Sequence, residues 1–238
     1  MKEERFGGLL ARVVGGTDRA GSGTGPVVVL MHGFGAPGYD LVGLASALDV
    51  PNDTRFVFPE APTALGGAYG EGRAWWKIDM EAIQRAMMMG QHRDFVHEDP
   101  SELPALRASI KALLSEVKEK MQPSVPVFLG GFSQGAMLAT DIALMEPSIE
   151  LSGLILLSGT LLAEKRWTLA MPARKGLRVL QSHGTHDPML PFPLAERLRD
   201  HMTEAGMHVN WIAFRGQHEI PPNVLAGASA FIRSAEGR

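Results

Sequence analysis

Gly131-Phe132-Ser133-Gln134-Gly135 joins an apolar strand signal to a helix signal, and the rest of the chain is best understood from this turn. The residues before it, 125–130, are mostly apolar and β-branched, which is typical of a short buried strand. Helix-forming residues follow from Ala136 to Met145, with no helix breaker before Pro147. A serine on such a strand-to-helix turn has a strained backbone that raises its hydroxyl above the sheet. The pattern predicts that Ser133 is a nucleophile.

The two glycines fit the same interpretation, because a Cβ at either position would crowd the neighbouring strand and helix. The first N–H groups of the helix would also stabilise negative charge near the serine. Five residues make a weak motif, however, and Ser133 could instead only cap the helix in a glycine-rich connection. An acid and a base later in the chain, in a suitable order, would separate the two alternatives.

Length and composition are those of one globular domain spanning residues 1–238. The apolar fraction is 45%, the charged fraction is 21% and the formal net charge is −3. Acidic and basic residues are mixed along the chain, so we expect no nucleic-acid partner.

The chain has no cysteine, which excludes a thiol nucleophile, disulfides and thiolate metal sites. Its first residues lack the apolar core of a signal peptide, and runs such as Val27–Met31 are too short to span a bilayer. We therefore expect a cytoplasmic protein without stable membrane insertion.

Apolar runs alternate with helix signals along most of the chain, which predicts an α/β fold with a mostly parallel central sheet and helices on both faces. The predicted strands are 5–14, 27–31, 55–58, 125–130, 154–157, 177–181 and 209–214, and the predicted helices are 39–48, 99–121, 136–145, 193–205 and 221–235. Asp99 is expected to cap the second of these helices, since Pro100 and Glu102 follow it.

The segment of about 60–99 is different, because it is rich in glycine and shows only one helical piece near Met80–Met89. Long irregular stretches within a compact domain are usually functional or disordered, and Trp75 and Trp76 argue against disorder. We expect this segment to form a lid or part of an acyl pocket. An apolar patch near the two tryptophans could alternatively support a homodimer.

Functional groups in a parallel sheet gather at the carboxyl ends of its strands. Ser133, Asp187 and His218 each follow such an end, and they occur in the Ser…Asp…His order expected for a serine on a strand-to-helix turn. A histidine can take the proton of the serine hydroxyl, and a carboxylate on its far nitrogen fixes the tautomer. The order therefore favours a catalytic triad over a capping serine.

Two backbone N–H groups are needed to stabilise the oxyanion that forms during such a reaction. We expect one from Gln134, directly after the serine, and the other from Phe34 in the glycine-rich loop His32-Gly33-Phe34-Gly35.

We expect the remaining histidines and acidic residues to have structural roles or to lie at the surface. His32 is expected to shape the oxyanion loop, and His183 and His186 to support the loop of Asp187. The others, His92, His97, His201 and His208, are expected to face solvent. Asp141 is expected to point away from Ser133, and Glu219 is too close to His218 to lie on its far side. No cluster has metal-ligand spacing, so we predict no metal and no cofactor.

With these residues in place, the chain resembles the phospholipase/carboxylesterase family of small serine α/β-hydrolases, which includes the acyl-protein thioesterases. The matching segments are 30–35, 131–135, 183–192 and 216–220, which lie in the family's order across nearly the whole chain. The resemblance implies the α/β-hydrolase fold, triad roles for Ser133, Asp187 and His218, oxyanion donors at Phe34 and Gln134, and hydrolysis without a cofactor.

The resemblance also implies that Trp75 and Trp76 lie near the substrate. The family commonly has leucine where Phe34 stands, and the methionine-rich stretch after Trp76 diverges from the family. Met88 and its neighbours Met87 and Met89 could form an adaptable apolar wall for an acyl chain, or could fill the core under a loop.

These observations predict a serine carboxylesterase that cleaves small-molecule esters of small to medium acyl chain through an acyl-enzyme on Ser133. The alternatives are an acyl-thioesterase, a lysophospholipase and, from another class, a binding protein with a hydrolase fold and no catalysis.

Overall fold

A computed structural model describes residues 1–90, 94–121 and 126–235. Its ten strands, in chain order, are β1 (Lys2–Phe6), β2 (Leu9–Gly15), β3 (Val27–Met31), β4 (Arg55–Pro59), β5 (Thr63–Ala64), β6 (Arg73–Ala74), β7 (Val127–Phe132), β8 (Gly153–Leu157), β9 (Arg178–Gly184) and β10 (His208–Phe214).

Eight strands form one central sheet in the order β1-β2-β4-β3-β7-β8-β9-β10, and β5 pairs with β6 in a separate small sheet. The six strands from β4 to β10 in that order are parallel, whereas β1 and β2 are antiparallel to each other and β2 is antiparallel to β4. The mostly parallel sheet predicted from the sequence is confirmed.

In the part of the chain that the structure describes, the α-helices around the sheet are α1 (Leu44–Ala47), α2 (Met80–Met88), α3 (Leu103–Met121), α4 (Gln134–Met145), α5 (Glu164–Ala170), α6 (Phe192–Glu204) and α7 (Pro222–Arg233). None of the helices in the described residues is long and apolar enough to cross a membrane.

Both faces of the sheet are covered, as the uninterrupted apolar strands predict. On β3, Val27 and Val29 face one apolar cluster, which α2 to α6 cover, while Val28 and Leu30 face a second cluster under α7 and the residues around α1. Because every residue of β3 is buried, the strand carries no alternation of polar and apolar side chains.

Two predicted boundaries were wrong. Residues 5–14 were expected to form one strand, but Gly7 and Gly8 both adopt positive φ and turn the chain into the β1–β2 hairpin. Glycine pairs favour such two-residue turns, so the signal was present in the sequence. Helix α3 begins at Leu103 rather than next to Asp99, whose carboxylate forms an ion pair with Arg166 at 2.9 Å.

Val125 and His92, which were included in the predictions, lie outside the described residues.

Candidate active site

Ser133 lies on the turn between β7 and α4, with a positive φ of 54° and a ψ of −117°. Its N–H donates to the carbonyl of Leu157 on β8 at 2.9 Å. A Cβ on Gly131 or on Gly135 would clash with the carbonyl oxygen of Met31 on β3. The predicted crowding at the two glycines is therefore present, and it lets the turn pack directly against the neighbouring strand.

Asp187 and His218 form a short hydrogen bond, in which His218 Nδ1 lies 2.6 Å from Asp187 Oδ2. Asp187 follows β9 and His218 follows β10, and these strands are parallel neighbours. The two loops are joined where His186 N–H donates to the carbonyl of Gly216 at 3.0 Å. The sheet thus brings together two side chains that are 31 positions apart in the chain.

The Asp187 carboxylate is buried and almost fully bonded. Its Oδ1 accepts the N–H groups of Met189 and Leu190 at 2.8 and 2.9 Å, and its Oδ2 faces His218. Burial raises the pKa of Asp187, but the hydrogen bond to His218, the charge of that residue and the N–H of Leu190 together lower the pKa below its usual value. The group is therefore a carboxylate near neutral pH and holds the proton of His218 on Nδ1.

A second histidine, His183, contacts the same carboxylate from the interior of the protein. His183 is fully buried, and its Nε2 lies 3.0 Å from the carbonyl of Leu190 and 3.3 Å from Asp187 Oδ2. Burial lowers the pKa of His183, so the ring is neutral near neutral pH. Both neighbours are acceptors, which assigns the proton to Nε2. The expected role of His183 as a support for this loop agrees with these contacts.

The loop after β3 lies against the serine, and His32 holds it in place. His32 Nε2 accepts the N–H of Ala61 at 3.1 Å, so its Nδ1 carries the proton and donates to the carbonyl of Gly33 at 2.8 Å. Burial lowers the pKa of His32 and keeps the ring neutral. Among the described residues, no backbone carbonyl accepts the N–H of Phe34. This N–H and that of Gln134, in the first turn of α4, are the two free donors beside Ser133.

The side chain of Gln134 points away from the cavity and anchors the tryptophan segment. Its Oε1 accepts the N–H of Trp75 at 2.9 Å, and its Nε2 donates to the carbonyl of Trp76 at 2.8 Å. Trp75 in turn donates from Nε1 to the carbonyl of His32 at 2.9 Å. The two tryptophans are buried and do not line the cavity, so the expected contact with substrate is corrected: Trp75 instead supports the loop after β3.

A cavity of about 130 Å³ opens beside Ser133 and His218, and its wall is mostly apolar. The lining residues are Gly33, Phe34, Ala36, Asp40, Ile78, Met80, Ile83, Phe95, Phe132, Ser133, Met137, Met189, Leu190 and His218. The ring of Phe132 also packs on that of His218, with centroids 4.8 Å apart. The predicted serine, the predicted histidine and the loop that carries Phe34 therefore line the same cavity.

The predicted pocket role of Met88 is wrong. Met88 is 86% exposed at the end of α2 and does not line the cavity. Methionines do contribute to the wall, but they are Met80, Met137 and Met189. Sequence reasoning also missed Ile83 on the same helix, although its helical spacing from Met80 marks the inner face.

The other candidate groups lie elsewhere. Asp141 is fully buried and bonds to Arg107, Arg166 and Trp167, away from the cavity as expected. His97 and His208 are exposed, and His201 bonds to Glu164 at 2.9 Å. Within residues 1–90, 94–121 and 126–235, no three histidine, aspartate or glutamate side chains are grouped as metal ligands.

Chemically, this arrangement offers a hydroxyl on the turn between β7 and α4, an imidazole held by a carboxylate, and two free N–H groups next to an apolar cavity. Such a set can transfer an acyl group to the hydroxyl and stabilise the oxyanion that forms on the way.

Comparison with known proteins agrees with this arrangement. The Phospholipase/Carboxylesterase family profile matches residues 18–236. Acyl-protein thioesterase 1 of Eremothecium gossypii is 27% identical over 219 residues, covering 87% of this chain and 86% of the relative. Acyl-protein thioesterase 1 of Kluyveromyces lactis is 30% identical over 176 residues, covering 69% and 71%.

Two solved structures share the fold. The crystal structure of esterase PE8 superposes with a TM-score of 0.75 at 24% identity, covering 95% of this chain and 99% of that one. The structure of Zea mays acyl-protein thioesterase 2 gives a TM-score of 0.73 at 20% identity with the same coverage.

Proposed function

The chain belongs to the phospholipase/carboxylesterase family of α/β-hydrolases, and we propose that it is a serine esterase acting on short to medium acyl chains. The observation that carries the proposal is the hydrogen bond of 2.6 Å between His218 and Asp187 at the cavity that Ser133 lines. Asp187 fixes the proton on His218 Nδ1, which leaves Nε2 as the base for the serine.

In the first half of the reaction, Ser133 Oγ forms a bond to the carbonyl carbon of the ester while its proton passes to His218 Nε2. The carbonyl oxygen becomes an oxyanion that the N–H groups of Phe34 and Gln134 stabilise. When the carbonyl re-forms, the bond to the leaving alcohol breaks and His218 returns the proton to it. The product is an acyl-enzyme on Ser133.

In the second half, water replaces the alcohol. His218 takes a proton from water as the oxygen attacks the acyl carbon, and then returns the proton to Ser133 Oγ as the acid leaves. The steps therefore consume the ester and one water molecule and regenerate Ser133 and His218.

The cavity sets the expected acyl length. An engineered apolar cavity of about 150 Å³ holds one benzene molecule, with six carbon atoms. By that measure, 130 Å³ accommodates an acyl chain of at most about six carbons before α2 or its neighbours must move.

The experiment is a kcat/KM series on p-nitrophenyl esters of two to twelve acyl carbons, with Ser133→Ala as the matched control. We expect the rate to fall steeply beyond about six carbons and to vanish in the Ser133→Ala variant, which should unfold at the same urea concentration as the wild type. Retained hydrolysis by Ser133→Ala would contradict the proposed nucleophile.

A thioesterase is the second candidate, and the acyl-protein thioesterase relatives favour it. Matched oxygen and thio esters of the same acyl chain would separate the two activities. If kcat/KM for the thioester exceeds that for the oxygen ester by much more than the ratio of the uncatalysed rates, the thioesterase assignment replaces the esterase. Failure of a fluorophosphonate probe to label Ser133 would instead favour a non-catalytic binding protein.

A further inference from the structure

One acidic side chain, Asp40, belongs to the cavity but has no part in the acyl transfer described above. It is the first residue of the 3₁₀ turn Asp40–Gly43, at the end of the loop that carries Phe34. Apart from His218, it is the only titratable side chain among the described lining residues. Among the described residues, its carboxylate has no ion-pair or hydrogen-bond partner. The remaining wall is mostly apolar.

Burial along the wall distinguishes an inner end from a mouth. Ile83, Phe95 and Met137 are at most 3% exposed, so they form the inner end. Asp40 is exposed, and Phe34 on the same loop is half-buried, so these two residues mark the mouth. An acyl chain gains most free energy at the apolar inner end. The alcohol part, which must leave after the first step, then lies at the mouth beside Asp40.

Nearby cations do not neutralise Asp40. Arg12 and Arg73 are the basic residues on the adjoining surface, and both pair with Glu60. Tyr39, next to Asp40, donates its hydroxyl to Glu71 at 2.8 Å, which adds a further carboxylate outside the cavity. Neither arginine therefore pairs with Asp40.

We propose that Asp40 makes this site select esters whose alcohol part carries a positive charge, such as a quaternary or protonated ammonium group. This inference rests on the proposed esterase function. The aromatic ring of Phe34 supplies a second attraction for an ammonium group at the same mouth, because cations bind favourably over ring faces. An anionic alcohol part, such as the phosphate of a lysophospholipid, is disfavoured by the same carboxylate.

The size of the effect follows from the charge separation. Two unit charges about 4 Å apart interact more strongly at a partly dry protein surface than in bulk water, and salt weakens the interaction. We expect the cationic ester to be preferred over an uncharged ester of the same shape by about five- to tenfold in kcat/KM at low salt.

The test uses butyrylcholine and 3,3-dimethylbutyl butyrate, which share the acyl chain and the shape of the alcohol but differ in one positive charge. Wild type, Asp40→Asn and Glu71→Gln are compared by the ratio of the two kcat/KM values. The Asp40→Asn ratio should fall to near one and lose its salt dependence. Glu71→Gln, outside the cavity, should keep the wild-type ratio.

The outcomes separate the two proposals. A wild-type ratio near one, with both esters hydrolysed, would overturn the role of Asp40 and leave the esterase intact. An equal drop in Asp40→Asn and Glu71→Gln would also overturn it, because the selection would then come from the general surface charge. If wild type hydrolyses neither of these esters nor any p-nitrophenyl ester, the esterase proposal itself fails.

Discussion

At the scale of single residues, the strained turn at Ser133 is stabilised by the close packing of its neighbours. Ser133 has a φ of 54°, a conformation that β-carbon-bearing residues rarely adopt, and its neighbours must compensate for the strain. Gly131 and Gly135 do so by allowing β3, β7 and α4 to approach closely, since a Cβ at either position would clash with Met31. The turn is therefore held by backbone packing rather than by a side-chain bond.

This packing predicts a large effect of one methyl group. Gly135→Ala would push the added Cβ into the carbonyl of Met31, so we expect a loss of about 1–3 kcal/mol in the free energy of unfolding and a large fall in kcat. Urea denaturation and the p-nitrophenyl assay measure the two quantities. The control is Gly43→Ala, which has no atom within 4 Å of the new Cβ and a φ of −58°. It should leave the free energy of unfolding unchanged or raise it by up to about 1 kcal/mol. Equal stability of the two variants would contradict the argument.

The hydrogen bond between Asp187 and His218 is the part of the candidate site that sequence could predict, because a parallel sheet collects the ends of its strands at one edge. The supporting role of His183 was also expected, but the atoms through which it acts could not be predicted. His183 lies only four positions before Asp187, and nothing in the local pattern indicates that its Nε2 points back at the same carboxylate. Such contacts depend on side-chain directions that only the packed fold defines.

At the scale of elements, helix α2 determines the inner end of the cavity. Its residues Met80 and Ile83 lie three positions apart and face the site together, whereas Met88 is 86% exposed. Ile83 and Met88 are five positions apart, which places them about 140° apart around a helix. Helical spacing alone therefore argues against Met88, and the methionine-rich composition misled the sequence interpretation.

The position of α2 predicts how acyl preference can be changed. Ile83→Ala removes side-chain volume from the inner end, so we expect the chain-length optimum to move from about six carbons towards eight. Met88→Ala, on the same helix but outside the cavity, should keep the wild-type optimum. The measurement is the p-nitrophenyl ester series for all three proteins. An unchanged optimum in Ile83→Ala would show that the acyl chain does not reach α2.

Helix α4 is fixed to two other helices through a buried charge. The Asp141 carboxylate accepts bonds from Arg107 on α3 and from Arg166 and Trp167 on α5, each at 2.9 Å. Removing one partner of such a pair leaves the remaining charges without compensation in a dry environment.

We therefore expect Asp141→Ala to lower the free energy of unfolding by about 3–5 kcal/mol. Lys111→Ala is the control, because it breaks a more exposed ion pair with Glu146 that joins α3 to the end of α4. It should lower stability by less than about 1 kcal/mol. Urea denaturation at one ionic strength compares the three proteins. A small effect of Asp141→Ala would mean that water or rearranged side chains compensate the charges of Arg107 and Arg166 in the variant.

At the scale of the whole molecule, the fold follows from the order of apolar strands and amphipathic helices. Strands β3 and β8 were predicted to within one residue, since both are short uninterrupted apolar runs, whereas β7 ends two residues and β9 three residues beyond the predicted ends. The strand order was not predictable in the same way. β1 and β2 join the sheet antiparallel at its edge, and their position depends on pairing with β4, which is distant in sequence.

The two neutral histidines behind the site make the stability of the whole fold depend on pH. Burial lowers the pKa of His32 and of His183 in the folded protein, whereas in the unfolded chain both titrate near about 6.5. Below that pH the unfolded chain binds protons that the folded protein does not, so the free energy of the unfolded state falls relative to that of the native state. Each residue should lower the stability by about 1.4 kcal/mol per pH unit as the pH falls from about 6.5 towards its folded pKa.

The measurement is the free energy of unfolding in urea between pH 7.5 and pH 5.0, for wild type and for His32→Gln. The lower limit keeps Asp187 out of the comparison: its pKa is lowered in the fold, so its contribution is present above about pH 4 and is lost only below. His32→Gln starts from a lower stability, because glutamine replaces a ring that packs 5.5 Å from Trp75, but its slope should be shallower by about 1.4 kcal/mol per pH unit. Equal slopes would mean that His32 takes up its proton in the native state, and that the loop after β3 opens in mild acid before the rest of the fold.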